Sequence, residues 1–468
     1  MKMLVAIASY GNANDRYLVQ LIEEYRSMPF QVELVVLSNI NKEVPAPAKV
    51  VVVNLEGQDP WTLPYAHKQI FADRLNEFDL FIYSEDDVLI KRRNICAFLA
   101  LSKLLHENEI AGFLRFERGA DGTINYPEIH GRFHWDPASV RRRGDHVMAF
   151  FTNEHAACYV LTRQQLRRAI DSGGFMQGPR EGRYDLLCTA ATDPYTQCGF
   201  EKLICISQID DFLIHHLPNR YVGSVYGVDG PELRRQLEQL KRISLNGHPS
   251  KTLFQTETKF AATWYSKNYY EPARDEVFSA IPVHAKSVLS VGCGWGAIEA
   301  GLVGQGKRVV AIPLDPVIAG GLEKAGVELI VGDFETGLNK LAGERFDCLF
   351  LSNVLHLLPK PVDVLASFGE HLTENGRVVV VVPNVLRFPT YWKNARGKVQ
   401  SEVLQGFERT GFHLTSHRIL RRWLRESGMK VERIVDILPP HCQKLSRISL
   451  GLMNPRLSIE LIAVGRRT

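Results

Sequence analysis

Two long stretches of this chain alternate short apolar runs with helical patterns, and that alternation restricts the architecture more than any other feature. In residues 1–92 the runs are MLVAIAS, QVELVVLS, KVVVVNL and DLFIYS. Between them lie RYLVQLIEEYRSM and a second helical pattern with Ile70, Phe71, Leu75 and Phe78 on one face. A second series, SVLSVGCGWG, RVVAIPLD, VELIVGD, FDCLFLS and RVVVVVPN, follows YYEPARDEVFSAI. Strand-length apolar runs separated by amphipathic helices specify a parallel sheet covered on both faces. Such sheets bind ligands beyond the carboxyl ends of their strands. At 468 residues the chain is also too long for one ordinary core. The expected fold class is therefore α/β with two domains, residues 1–228 and 266–468, joined by a helical and polar linker at 229–265 that contains PELRRQLEQLKRI and SLNGHPSKT.

The C-terminal end carries a topological signal. The helical pattern TSHRILRRWLRESG stops at Gly428, and two strand-like runs follow, KVERIVDIL and LSIELIAVG, with no convincing helix between them. A parallel pair needs a crossover of about a dozen residues, so these runs are expected to be antiparallel neighbours. The composition, 45% hydrophobic and 23% charged, is that of a globular rather than a disordered protein. A net charge of +4 does not call for a polyelectrolyte partner, and without a recognised module or an aromatic-basic stripe nucleic-acid binding is not expected. The apolar run in MKMLVAIASYG is too short for a membrane span or a signal segment. Eight scattered cysteines without a C-x-x-C pair argue for reduced thiols and against structural zinc. The expectation is a cytoplasmic enzyme.

The stretch YSEDDVLI places Glu85, Asp86 and Asp87 at the end of an apolar run. In an extended segment Glu85 and Asp87 face one way and Asp86 the other. Stacked carboxylates repel, and a divalent cation shared with a bound diphosphate neutralises them; a capped turn is the competing reading. The region from residue 1 to about 225 resembles the metal-dependent GT-A glycosyltransferases, with SEDD as the D-x-D region and QIDDFLIHHLPNRY as the segment returning a late histidine. The resemblance implies a nucleotide-sugar donor, Mn2+ or Mg2+, and a nucleotide-sugar and metal site of Glu85, Asp86, Asp87, His215 and His216. Glu85, Asp87 and His216 are the metal ligands in that reading. RYDLLCTAATDPYTQCGFEK offers Asp185, Asp193 and Glu201 as a base, of which Asp193, in the turn TDPY, is preferred; Arg115 and Glu117 are further polar candidates.

SVLSVGCGWGAIEAG reads as strand, glycine loop and helix start, with Asp315 ending the next strand and Asp333 the third. From about residue 264 to 464 the chain resembles class I S-adenosylmethionine-dependent methyltransferases, in particular small-molecule O-methyltransferase-like domains. The matching pieces include VLSVGCGWG, GDFE, FDCLFLSNVLHLLPKP and LTENGRVVVVVPNV. The resemblance implies a Rossmann-like sheet with an antiparallel last strand. It also implies a cofactor site of Gly292, Cys293, Gly294, Gly296, Asp315, Asp333, Phe334 and Asn353. Ser290 stands where the family usually has an acid, and His356 is the candidate base. Arg418, Arg421, Arg422 and Arg425 lie opposite Trp423, a solvated helix face or one that meets an anionic lipid-linked acceptor or a membrane surface. The two resemblances together imply a bifunctional enzyme that glycosylates and methylates a glycan or glycoconjugate, lipid-linked acceptors included. The competing readings are an O-methyltransferase with a non-catalytic glycan-binding N-terminal domain, and a glycosyltransferase with a degenerate methyltransferase scaffold.

Overall fold

In the computed structural model the N-terminal apolar runs form the strands Lys2–Ala8, Gln31–Ser38, Lys49–Val52 and Leu80–Glu85. The structure describes residues 1–126, 133–223, 228–245, 253–254, 256, 258, 265–387 and 406–468. The chain divides into two units, residues 1–249 and 250–468.

In the first unit those four strands are mutually parallel, and Cys158–Thr162 adds an antiparallel edge beside Leu80–Glu85. Met3 to Ile7 are fully buried, as a parallel sheet covered on both faces requires. Ala8 sits opposite Glu85, so the loop after the first strand and the acids share the carboxyl edge. Two smaller mixed sheets complete the unit. One runs in the order Glu109–Ala111, Glu201–Cys205, His146–Phe151 and Trp135–Arg143. The other places Leu213–His216 between Leu114–Arg118 and Val88–Leu89. The helix Gly230–Leu245, assigned to the linker from sequence, packs on Trp135–Arg143 through a face that buries Leu233, Leu237 and Leu240. Burial of each such leucine is worth about 1.5–3 kcal/mol, so this helix is part of the first unit. Most of the remaining linker, 246–252, 255, 257 and 259–264, lies outside the described residues.

The second unit is a seven-stranded sheet in the order Glu328–Leu329, Arg308–Pro313, Ser287–Cys293, Phe346–Ser352, Leu372–Pro383, Glu460–Arg467, Met429–Ile437. The first five are parallel, and Glu460–Arg467 runs antiparallel to both of its neighbours. The antiparallel ending expected from sequence is present. Strand order reverses beside Ser287–Cys293, which makes its carboxyl end the switch point where α/β sheets hold ligands. One expectation fails between the last two strands: residues 438–459 contain the short helices Pro440–Cys442, Gln443–Ile448 and Asn454–Leu457. None is long enough for a crossover, so the antiparallel pairing survives them.

Candidate active sites

At the acidic stretch, the strand ends with Glu85, and Asp86 and Asp87 form a turn into Val88–Leu89. Strict alternation across the three acids therefore does not hold, because the parallel ladder stops at the Ala8–Glu85 pair. Asp86 accepts hydrogen bonds from Ser9 Oγ (2.6 Å) and Asn14 Nδ2 (2.7 Å), and Asn14 Nδ2 also reaches Asp87 Oδ2 at 3.3 Å. Glu85 Oε1 and Asp87 Oδ1 are buried and lack a hydrogen-bond partner among the described residues. Burial, reinforced by the neighbouring Asp87, pushes the Glu85 carboxyl well above the usual range.

The antiparallel pairing of His216 with Val88 brings that histidine to the acids. Its Nε2 is 3.5 Å from Asp87 Oδ2, and its Nδ1 lies 2.5 Å from Glu117 Oε1. His215 points elsewhere, stacking on Phe116 with ring centres 4.8 Å apart and bonding Asn219. Arg220 approaches Asp87 at 3.9 Å. Sequence reasoning missed His155, whose Nε2 is 3.7 Å from Glu85 Oε1. Its only signal was a histidine directly after an acid in TNEHAACYV. The loop that carries it is fixed from below by Lys202, which is 2% exposed and donates to the Glu154 carbonyl at 3.0 Å. The lysine stem runs past Gly112, where a Cβ would lie 2.3 Å from Lys202 Cγ.

Glu85, Asp87 and His216 do not converge as a three-ligand metal set. Among the described residues no group of three or more His, Cys, Asp or Glu side chains is arranged to hold a metal ion. Glu117 engages Nδ1 of His216 and leaves Nε2 facing Asp87, while the carboxylate oxygens without a hydrogen-bond partner among the described residues are Glu85 Oε1 and Asp87 Oδ1. Mg2+ commonly uses one or two carboxylates and completes its shell with water and substrate phosphate, a demand that two oxygens meet.

Asp193 is not in a turn. It belongs to the helix Leu186–Thr196, is fully buried, and is bonded by both the Lys68 ammonium and the Arg180 guanidinium. A general base must reach a substrate proton, and a carboxylate enclosed between two cations does not. Its alternatives are also occupied. Asp185 caps the same helix by accepting from Cys188 N at 2.8 Å, and Glu201 bonds Arg141 at 2.6 Å.

In the second unit the glycine loop follows Ser287–Cys293. Gly292 and Gly296 have φ of +83° and +77°. At Gly294 a Cβ would lie 2.1 Å from the Tyr269 carbonyl oxygen, which also accepts from Trp295 N at 2.8 Å. The absent side chain at Gly294 is thus demanded by the chain's own backbone. Lys267, Tyr269, Glu271, Glu299 and Ser352 close a pocket around the loop. Lys267 Nζ donates to Glu271 Oε2 and to Ser352 O, both at 2.6 Å. Asn353, at φ +52°, donates through Nδ2 to Glu271 Oε1 (2.6 Å) and Glu460 Oε1 (2.7 Å). Burial opposes ionisation of Glu271, but Lys267 and Asn353 outweigh it and hold the carboxyl below its ordinary range. Sequence reasoning quoted the segment carrying Glu271 without assigning it a role.

The strand position lacking an acid is compensated from the next helix. Ser290 Oγ donates to Glu299 Oε1 at 2.6 Å, and burial raises the Glu299 carboxyl above its usual value. Asp315 is fully buried and caps Pro316–Ala319, its Oδ1 accepting from Val317 N (2.6 Å) and Ile318 N (3.2 Å). Asp333 caps Phe334–Lys340 by accepting from Thr336 N at 2.9 Å, and the Phe334 ring stacks on Phe254. Cys293 is buried, and desolvation pushes its thiol well up. His356 departs from the role expected of it. It is 1% exposed, burial lowers its pKa to about 3, and its Nε2 lies 2.7 Å from the Tyr265 carbonyl. A ring that donates to a backbone carbonyl and holds its other nitrogen buried is a packing residue and a weak base near pH 7.

Residues 265–434 match the family described as "Methyltransferase domain". Among curated proteins, the tRNA U34 carboxymethyltransferase of Vibrio atlanticus (strain LGP32) is 25% identical over 175 residues, covering 33% of this chain and 48% of that protein. The tabtoxin biosynthesis enzyme of Pseudomonas amygdali pv. tabaci is 28% identical over 180 residues, covering 37% of this chain and 64% of that protein. The chain thus spans about half the length of the first of these relatives. Similar solved structures include the mitomycin 7-O-methyltransferase, at 17% identity and TM-score 0.30 over 41% of this chain and 52% of that one. Another is the N-methyltransferase NodS of Bradyrhizobium japonicum WM9, at 15% and 0.29 over 41% and 84%. The C-terminal unit carries a class I S-adenosylmethionine-dependent methyltransferase domain. Among the described residues no helix is long and apolar enough to cross a membrane, and none of the eight cysteines is in a disulfide.

Proposed function

We propose that the C-terminal unit transfers a methyl group from S-adenosylmethionine to a hydroxyl of a glycan or glycoconjugate. The observation that carries this reading is the glycine loop at the switch-point strand, walled by Glu271 and Glu299. Two carboxylates at a glycine loop suit a cationic cofactor. When bound, the cofactor supplies an electrophilic methyl on a sulfonium centre. The residues of the chain hold and orient: Lys267 and Asn353 keep Glu271 ionised and aimed, and Ser290 fixes Glu299. Asp315, Asp333 and Phe334, at the neighbouring strand ends, are proposed for the ribose and adenine. Methyl transfer to a hydroxyl rests chiefly on alignment, and no base is assigned to His356.

For the first unit the reading is nucleotide-sugar transfer assisted by Mn2+ or Mg2+. It is favoured by the two buried carboxylate oxygens of Glu85 and Asp87 at a parallel strand end that lack a hydrogen-bond partner among the described residues, with Arg220 beside Asp87. A cation there would be held by those two oxygens and by the donor diphosphate. The reading proposed is of a cytoplasmic enzyme that acts on one acceptor in two steps. Calorimetric titration with S-adenosylmethionine tests the first reading, and absence of binding would sink it. A nucleotide-sugar panel with Mn2+, read by mass spectrometry of glycan acceptors with and without S-adenosylmethionine, tests both. Transfer RNA belongs in that panel, because one relative is named for it.

A further inference from the structure

Between Ile437 and Glu460 the chain leaves the sheet as a finger. Segment 438–459 holds Lys444, Arg447 and Arg456 and contains no Asp or Glu. Its outer part exposes four aliphatic side chains within eight residues: Leu445 at 45%, Ile448 at 79%, Leu450 at 90% and Leu452 at 84%. Single exposed leucines are ordinary; a contiguous group marks a surface that meets something.

The backbone adds a second, independent observation. The helix Gln443–Ile448 closes with Gly451 N donating to Ser446 O at 2.9 Å and Leu450 N to Arg447 O at 3.2 Å, the hydrogen-bond pattern of a Schellman cap. The left-handed position of that cap, normally given to glycine, is occupied by Leu450 at φ +49°. A bulky side chain there strains the backbone and gains no packing within the chain, since it is almost wholly exposed. The finger's root is firm: Asn384 Nδ2 donates to Pro455 O (3.0 Å), Ser458 O (3.1 Å) and Ser458 Oγ (2.9 Å), and Leu457 is buried. Glu460 pairs with Ile437 and Pro383 and bonds Asn353, so the finger rises from the carboxyl edge that also carries the glycine loop.

We propose that the finger is a membrane-docking element whose apolar tip enters the interface of an anionic lipid surface while Lys444, Arg447 and Arg456 engage the headgroups. Leucine and isoleucine interleaved with bases are the composition of interfacial segments, and basic residues beside them draw anionic lipid. The segment carries bases and no acid, so its charge complements an anionic surface. Docking would bring the pocket edge to acceptors that reside in the membrane. The docking itself rests on no assumption about methyl transfer.

The test is co-sedimentation of the full chain with phosphatidylcholine vesicles and with vesicles containing phosphatidylglycerol. Three variants are compared: Leu450→Ser with Leu452→Ser; Lys444→Gln with Arg447→Gln and Arg456→Gln; and Leu450→Gly. Wild-type protein is expected to bind only the anionic vesicles. The triple charge variant should bind about a hundredfold more weakly at low salt, and the serine pair at least about tenfold. Leu450→Gly relieves the left-handed strain, so its unfolding midpoint should rise while its vesicle affinity falls, opposite movements that a merely structural leucine would not give. Equal binding to both vesicle types, or to neither, overturns the proposal. So does sedimentation equilibrium revealing a dimer that the serine pair abolishes while vesicle binding is absent, which would assign the tip to a second copy.

Discussion

Replacing Asp193 by asparagine separates a catalytic base from a structural charge. The carboxylate is 0% exposed and lies between Lys68, whose side chain is 4% exposed, and Arg180 at 27%. Asparagine keeps the shape and removes the charge, leaving two cations facing a neutral amide. Breaking a buried pair by removing one partner costs about 3–5 kcal/mol. A ceiling comes from Lys68 itself, which can shed its proton. For a lysine of ordinary pKa that costs about 4.6 kcal/mol at pH 7, and burial already lowers this one. Within that ceiling, and at about 2–4 °C per kcal/mol for a unit spanning residues 1–249, the melting transition of the first unit should fall by about 6–18 °C. The deficit should shrink by up to about 1.4 kcal/mol per pH unit as the medium turns alkaline and deprotonation of Lys68 becomes cheaper. Calorimetry and denaturant titration, followed at pH 7 and pH 9, measure both. A D193N protein that melts like wild type but has lost sugar transfer would refute this argument and return Asp193 to the role of base.

Three further outcomes follow from the geometry. Gly294→Ala drives a methyl against the Tyr269 carbonyl, so it should destabilise the second unit by about 1–3 kcal/mol and weaken S-adenosylmethionine binding, read by melting and calorimetry on one preparation. His67 and His356 have folded pKa values of about 3 against 6.5 unfolded, each through burial. Between those limits the unfolded chain binds more protons, so stability is complete above pH 6.5 and is lost as pH falls toward 3, by up to about 1.4 kcal/mol per unit per histidine; His356→Gln should flatten that slope in equilibrium unfolding. Asp87→Ala should abolish Mn2+-stimulated hydrolysis of a nucleotide sugar while leaving S-adenosylmethionine affinity unchanged, and hydrolysis that persists would remove the cation from Asp87.

What could be read in the sequence was whatever is local. The runs that became strands, the turn of chain at Gly292–Gly296, and the two terminal strands too closely joined for a parallel pair are all set by neighbours along the chain. The partner of a side chain is not. Asp193 looked like a turn residue because Pro194 follows it, yet the cations that claim it lie 125 and 13 residues away. Glu299 sat inside the quoted glycine motif, but only the fold-back of its helix reveals that it serves Ser290. The SEDD acids were placed correctly at a strand end, while their alternation failed because a ladder ends where its neighbour ends, at Ala8. His155 arrives from an antiparallel edge that no spacing rule connects with residue 85.

The lysine threaded beneath Gly112 has a use of its own. An amine held against the Glu154 carbonyl inside the first unit is shielded from acylating reagents, as an exposed lysine such as Lys91 is not. Modification of Lys202 would therefore lag behind that of Lys91, and the Lys202 rate would time the opening of the loop that presents His155, giving a chemical clock for that corner of the protein that needs neither substrate nor turnover.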